Sequence, residues 1–341
     1  MTPAEPLPPV PVPATSVLEI RDLRTHIATP RGTVRAVDGV FLDVAEGEAL
    51  GLVGESGSGK SVLARAVMGL LPRAAASSGE VLFRGHDLLT LSPKERTRVW
   101  GRRIALVFQD PGRSLNPVVR VERQLTEGMR RHLGVSRSEA HTRALGLLDE
   151  VGVPDPERRL RAYPHELSGG MRQRVMIATA LACEPELLIA DEPTTALDVT
   201  VQRQILDLLR RLQREHGMAM ILISHDLAVV AGRTDRAAVM YAGRVAESGP
   251  TREVFTAPRH RYTRALLAAT PTLTHERHTP LNLIPGALPD PTRPPDGCRF
   301  APRCAHASTA CARTGPLVTP AARGHAAACA HPAGGDAPHG R

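Results

Sequence analysis

Short apolar blocks alternate along this chain with longer stretches in which apolar residues recur at helical spacing. "VLEIRDLRTHIA" (17–28) and "AVDGVFLDVAEG" (36–47) are partly alternating and end in turn residues, which predicts two half-buried strands. "EALGLVGESGSGKSVLARAVMGLL" (48–71) reads as a buried strand, a glycine-rich loop and a helix. "GEVLFRGHDL" returns to strand, and "RIALVFQD" predicts another that ends at Gln109. From about Pro111 to Arg174 the pattern is helical. In "SRSEAHTRALGLLDEVG", Ala140, Ala144, Leu147, Leu148 and Val151 share one helical face and belong to a core. "ELLIAD" is a buried strand, and "VTVQRQILDLLRRLQREHG" a helix facing inward with Val201, Ile205, Leu208, Leu209 and Leu212. "MAMILISHD" is the next buried strand. Short apolar strands alternating with helices predict an α/β fold with a parallel sheet.

Composition narrows what such a fold can do. Only 3% of residues are aromatic, too few for a base-stacking platform. The formal charge of +8 is spread out, with no run of five or six basic residues, so no nucleic-acid partner is expected. No stretch of 18 apolar residues occurs, which predicts no transmembrane helix. The first 15 residues are proline-rich without a basic or apolar signal region, and read as a disordered leader. A cytosolic setting follows as the expectation, and disulfides are disfavoured there. After about Thr270, Pro, Thr, His and Arg rise and periodicity is lost, so residues 271–341 form a loop-rich extension beyond an ordered domain of 16–270.

The sharpest chemical signal is "GESGSGKS", with Gly54, Glu55, Ser56, Gly57, Ser58, Gly59, Lys60 and Ser61 between a strand and a helix. Glycines let successive backbone N–H groups curl toward phosphate oxygens, and the following helix adds its positive end. Lys60 would reach the β- and γ-phosphates and Ser61 would bind Mg²⁺. "LLIADEP" ends a buried strand in two carboxylates: Asp191 for the metal, Glu192 to activate the attacking water. Gln109 and His225 close buried strands at their C-terminal ends, where ligands collect in open α/β sheets, and complete the catalytic set of Glu192, His225, Gln109 and Lys60.

With these in place, "HELSGGMRQRVMIATAL" resembles the signature motif of ATP-binding cassette (ABC) proteins, here Leu167, Ser168, Gly169, Gly170 and Met171. The resemblance covers about 17–267 and includes an "ALD" loop, Ala196 to Asp198. It implies a P-loop NTPase cassette: a RecA-like core, an antiparallel β subdomain and a helical signature subdomain over about 111–174. It further implies ATP and Mg²⁺ as ligands, ATPase activity, and a second cassette whose nucleotide is touched by this chain's signature, with Asp198 coupling the two sites. "TPRGTVRAVDGV", "VFQDPGRSLNP", "DEPTTALDVTVQRQILDLL" and "YAGRVAESGP" are similar to ATPases of oligopeptide and dipeptide importers; nickel and glutathione importers share the pattern. That implies two integral membrane permease subunits, a related cassette chain, an extracytoplasmic solute-binding protein, and a peripheral place on the cytoplasmic face of the membrane. A soluble non-transport cassette is the rival from another class; the long coiled-coil insertion or second cassette typical of that class is missing here. The chain departs from the family where an aromatic residue stacks on adenine: Arg31 falls near that position, and its planar guanidinium can stack instead.

Four of the five cysteines lie in the extension: Cys298, Cys304, Cys311 and Cys329. Their spacing lacks the close pairs of structural zinc sites and differs from the ferredoxin pattern. The resemblance favours a [4Fe–4S] cluster on these four; zinc, with His306 or His325 replacing a cysteine, and unligated thiols are the alternatives. Cys183 is expected to be a small core residue.

Overall fold

The computed structural model describes residues 16–195, 197–270, 283–317 and 324–333. The leader, Ala196 of the "ALD" loop and parts of the extension lie outside the described residues.

Two long strands, β1 (Ser16–Thr29) and β2 (Gly32–Ala45), form an antiparallel hairpin, and Thr29 Oγ1 closes it on the Gly32 carbonyl at 2.6 Å. β3 (Ala49–Val53) is buried throughout and feeds α1 (Lys60–Val67). β4 (Ala75–Phe83) and β5 (His86–Asp87) complete a four-stranded sheet in the order β2-β1-β4-β5. This sheet is the antiparallel subdomain that the family resemblance implies, and Leu18, Leu23, Val40, Val81 and Phe83 pack its inner face.

α2 (Pro93–Val99) leads to β6 (Ile104–Val107). Next come α3 (Pro111–Ser114), α4 (Val121–His132), α5 (Arg137–Glu150), α6 (Pro156–Arg161) and α7 (Gly169–Leu181). The predicted face of α5 is inward: Ala140, Ala144 and Leu148, with the following Val151, are fully buried, and Leu147 packs beside them. α7 carries the chain back against the sheet, and Val175, Ile177 and Ala178 join the same core.

The central sheet is completed by β7 (Leu187–Asp191), α8 (Val199–Glu215), β8 (Ala219–Ser224), α9 (Leu227–Val230), β9 (Arg236–Tyr241) and β10 (Arg244–Pro250). α10 (Thr251–Thr256) and α11 (Arg261–Ala269) close the domain, and β11 (Ala326–Ala327) comes from the extension. The order is β11-β10-β9-β3-β8-β7-β6, with β9, β3, β8, β7 and β6 parallel. Consecutive apolar residues in β3, β7 and β8 are buried on both faces, as a parallel sheet between helices requires. Cys183 sits in this interior, 6% exposed, and burial pushes its thiol up from its ordinary value.

The described residues of the extension, mostly loop, fold back onto the cassette. β11 pairs with β10 through Glu247 and Ser248. The carboxylate of Glu247, fully buried, accepts the backbone N–H of Arg259 at 2.6 Å and of His260 at 2.9 Å, and meets His325 of the extension at 2.6 Å. Three donors compensate the desolvation of that charge. Phe300 of the extension packs edge-on against Tyr241 and tilted against Tyr262. Each such ring pair is worth about 0.5–1.5 kcal/mol beyond the area it buries.

Candidate nucleotide-binding and catalytic site

The P-loop owes its shape to backbone angles that only glycine adopts cheaply. Gly54, Gly57 and Gly59 have φ of 152°, 81° and 104°. A Cβ on Gly54 would stand 2.1 Å from the Met240 carbonyl oxygen, and one on Gly59 would stand 2.2 Å from that of Ala36. The loop is thus packed directly on neighbouring backbone, with β9 beneath it. Ser58 is fully buried and Lys60 is 4% exposed. Lys60 Nζ donates to the carbonyls of Gly54 at 2.7 Å and Glu55 at 3.1 Å. Burial lowers the proton affinity of this ammonium, while the charges of Glu192, Asp191 and Glu55 oppose the shift. Its cation is held inside the loop where phosphate oxygens would be received.

Asp191 ends β7, and Ser61 Oγ donates to its Oδ1 at 2.9 Å. Burial raises the Asp191 carboxyl above its usual range, the Ser61 hydrogen bond lowers it, and the adjacent Glu192 raises it further. A divalent cation beside Ser61 and Asp191 would supply the missing positive charge, so this pair of oxygen donors fits Mg²⁺.

Glu192 has φ of 47°, a left-handed value uncommon outside glycine and asparagine. This turn lifts its side chain off the sheet. Oε2 accepts from Gln109 Nε2 at 3.1 Å and from Thr195 Oγ1 at 3.1 Å, and His225 Nδ1 lies 3.2 Å from the same oxygen. Gln109 follows β6 by two residues, and His225 directly follows β8. Three parallel strands therefore bring the predicted catalytic groups to one carboxylate. Lys60, Ser61, Gln109 and Glu192 line a single cavity of about 550 Å³, a size suited to a small organic ligand.

The signature stands elsewhere. Ser168 caps α7 by accepting the Met171 N–H at 3.3 Å, while Met171 packs its side chain against the helical core. A Cβ on Gly170 would stand 3.0 Å from a Val201 methyl group, so Gly169 and Gly170 bring the start of α7 close to α8. Leu167 is buried beneath them. None of these five residues lines the P-loop cavity. Asp198 is exposed and caps α8 through the Val201 N–H at 3.0 Å.

Arg31 is placed differently from the expectation. It is exposed in the two-residue turn between β1 and β2, and the cavity is lined instead by Val34 and Arg35. β2 begins at Gly32, so Arg31 stays in the turn and the residues bordering the P-loop cavity, Val34, Arg35 and Ala36, lie further along the strand.

Sequence reasoning also missed the arginines set among the cysteines. Arg303 Nη1 and Nη2 reach the carboxylate of Glu55 at 2.8 and 3.3 Å, tying the extension to the P-loop. Arg299 is 4% exposed and donates to Asp38 and to the Ala242 carbonyl. Burial, with Arg244 nearby, lowers the Arg299 guanidinium to about 10 against the opposing pull of Asp38. The segment "RFAPR" says only that its arginines need acceptors if Phe300 is buried; it does not point to Asp38 or Glu55.

The tail thiols gather at one edge of the aromatic cluster. Cys298 and Cys304 pack against it, and the Cys298 N–H donates to the Cys311 carbonyl at 2.9 Å. Burial, and then the neighbouring Cys329 and Cys311, push the Cys298 thiol up. All four are free thiols. Among the described residues, no three His, Cys, Asp or Glu side chains converge closely enough to hold a metal ion. His325 Nε2 meets the Glu247 carboxylate at 2.6 Å, and His306 is exposed.

Comparison with known proteins agrees with this geometry. Residues 37–195 match the family profile of the ABC transporter, and residues 246–311 match that of the oligopeptide/dipeptide transporter C-terminal region. The oligopeptide transport ATP-binding protein OppD of Salmonella typhimurium is 50% identical over 307 residues, covering 90% of this chain and 91% of that protein. The dipeptide transport ATP-binding protein DppD of Bacillus subtilis is 47% identical over 315 residues, covering 92% and 94%. Among solved structures, the dimeric bacterial ABC transporter cassette MJ0796 is 29% identical with a TM-score of 0.62, covering 69% of this chain and 99% of that one. The chain belongs to the ATP-binding cassette ATPases, in the family of oligopeptide and dipeptide transporter ATP-binding proteins.

Proposed function

We propose that this chain is the ATP-hydrolysing subunit of a binding-protein-dependent importer of oligopeptides or dipeptides. The observation that carries the reading is the Glu192 carboxylate, held by Gln109, Thr195 and His225 beside Lys60 and the Ser61–Asp191 pair. Lys60 and the P-loop N–H groups bind the β- and γ-phosphates; Mg²⁺, when bound at Ser61 and Asp191, neutralises phosphate charge. Glu192 takes the proton of the attacking water, Gln109 orients that water, and His225 fixes Glu192 and faces the γ-phosphate.

One chain supplies half of each site. The α7 N-terminus presents Ser168, Gly169 and Gly170 away from the chain's own P-loop cavity, which suits an anion held by a second, related cassette. Asp198, exposed at the start of α8, couples the two sites. Two permease subunits and an extracytoplasmic binding protein complete the assembly, with this chain peripheral on the cytoplasmic face. Among the described residues no helix is long and apolar enough to cross a membrane. A groove of about 600 Å³ beside the loop that starts at Gln109 is lined by Leu70, Phe108, Leu115 and Val119, and exposes apolar surface fitted to a permease helix. The four tail cysteines are the ligands the resemblance implies for a [4Fe–4S] cluster that staples the extension; the electrostatic interaction of Cys298 with Cys329 and Cys311 supports this reading, and cluster binding would draw the four thiols closer than they stand. Nickel, glutathione or another small solute is the alternative cargo, since no substrate contact lies in a cassette of this kind.

Reconstitution with the two permeases and the partner cassette tests the reading. Vesicles should accumulate labelled peptide only with ATP and the binding protein. ATP-dependent uptake of nickel or glutathione with no peptide uptake would favour the alternative, and ATPase activity indifferent to the permeases would favour a soluble cassette.

A further inference from the structure

The cavity lined by the P-loop is also walled by the extension. Leu288, Pro289, Pro291 and Pro294 line it, opposite Ile27 and Val34 of the β1–β2 hairpin. Among the described residues its lining contains no Phe, Tyr or Trp. With a triphosphate seated on Gly57, Gly59, Lys60 and Ser61, the rest of a nucleotide would lie against these apolar side chains and the neighbouring Arg35 and Arg299.

The wall is fixed in place from several directions. The Arg35 N–H on β2 donates to the Pro291 carbonyl at 2.9 Å. Asp290 Oδ1 accepts the Thr292 N–H at 2.8 Å and its hydroxyl at 2.7 Å, which shapes the turn between the prolines. Arg303 donates to the carbonyls of Pro285 at 2.8 Å and Ile284 at 3.1 Å while its other N–H groups grip Glu55 of the P-loop. Leu288 Cδ1 stands 3.7 Å from the position of a Cβ on Gly57, so this side chain, 37% exposed, overhangs the phosphate loop. Proline rings have few conformations to lose on contact, so a proline wall binds a flat apolar face at small entropic cost.

We infer that the extension supplies the nucleobase subsite: the purine face packs between Leu288–Pro294 and the hairpin residues Ile27 and Val34, in place of an aromatic stack. This rests on the ATP-binding reading of the P-loop and goes beyond it, because it makes a segment outside the cassette part of the nucleotide site.

The test uses the full chain carrying Leu288→Ser together with Pro291→Ser, which keeps the Pro291 carbonyl position for Arg35. Calorimetric titration compares MgATP with magnesium tripolyphosphate, which has the phosphates and no base. The inference expects MgATP affinity to fall about tenfold while tripolyphosphate affinity stays within about twofold of the unaltered chain. Unchanged or tighter MgATP binding would overturn it, the latter marking the segment as a cover over the site. A parallel loss for both probes would also overturn it, since the segment would then only support the P-loop. An unaltered chain that binds neither probe would refute the nucleotide reading itself and the subsite with it.

Discussion

His225 Nδ1 lies 3.2 Å from Glu192 Oε2, joining the ends of β8 and β7 at the point where Gln109 approaches from β6. The contact joins two residues that are both out of ordinary position: Glu192 has a left-handed backbone, and His225 is half exposed beyond its strand. A non-glycine residue held at such an angle costs about 1–3 kcal/mol and persists where its surroundings impose it. Replacing His225 by alanine should therefore release Glu192. Turnover should fall by about 10²-fold or more, with MgATP affinity changed less than about threefold. Steady-state phosphate release and equilibrium ATP binding separate the two; a loss of affinity as large as the loss of turnover would place His225 in binding rather than in catalysis.

Asp38 is the electrostatic hub between hairpin, cassette and extension. Its side chain, 2% exposed, meets Arg24 at 3.2 Å, His26 at 3.2 Å, Arg244 at 3.3 Å, and Arg299. Burial disfavours the charge, but the His26 hydrogen bond and the charges of Arg299, Arg244 and Arg24 outweigh it and hold the carboxyl below its usual range. The unfolded chain then binds the proton more readily, so this contribution to stability is complete above about pH 4 and is lost as pH falls through the lower folded value. Asp38→Asn leaves Arg299 buried without its counter-charge and should cost about 3–5 kcal/mol at neutral pH. Denaturant unfolding should show the deficit shrinking below about pH 4; a deficit unchanged from pH 7 to pH 3 would contradict the assignment.

Ser168 has two jobs of very different size. As the N-cap of α7 it accepts one N–H, and its loss to alanine should cost about 1 kcal/mol of stability. As the hydroxyl offered to the opposite nucleotide it should matter far more. In the assembled pair of cassettes, Ser168→Ala should reduce cooperative ATP turnover by about 10-fold or more while leaving this chain's own ATP affinity unaltered. Turnover reduced only in proportion to the stability loss would leave Ser168 a helix cap.

Cys298, Cys304, Cys311 and Cys329 make a chemical prediction about the purified protein. Prepared without oxygen, it should carry about four iron and four labile sulfide per chain. Cys311→Ser should abolish both, with ATP affinity retained to the extent that Arg303 still holds the extension to Glu55. Zinc in place of iron, or no metal under anaerobic preparation, would overturn the cluster assignment.

The phosphate chemistry was legible because it is written in contiguous residues. "GESGSGKS" and "LLIADEP" each combine backbone shape and functional group within one loop or strand, and hydrophobic runs placed Gln109 and His225 at neighbouring strand ends. The structure joins them at one carboxylate. Residues whose partners lie far away were not legible. Arg299 meets Asp38 across 261 positions and Arg303 meets Glu55 across 248, so no local pattern announces either pair. The same holds for Leu288 and Pro291, which look like loop residues until the chain folds back and lays them over the P-loop. Arg31 was misplaced for the opposite reason. The resemblance puts it near the base, whereas the hairpin turn holds it in solvent and Val34 and Arg35, further along β2, line the cavity.

The central claim is that Glu192 is the group that activates water. Glu192→Gln keeps the shape of the side chain and a hydrogen-bonding oxygen near Gln109 and His225, and removes the base. In the full chain assembled with its partner cassette, single-turnover measurement with labelled MgATP reads this site directly. The account predicts that ATP is bound and retained while phosphate release falls by about 10²–10⁴-fold. Release within about twofold of the unaltered chain would contradict it.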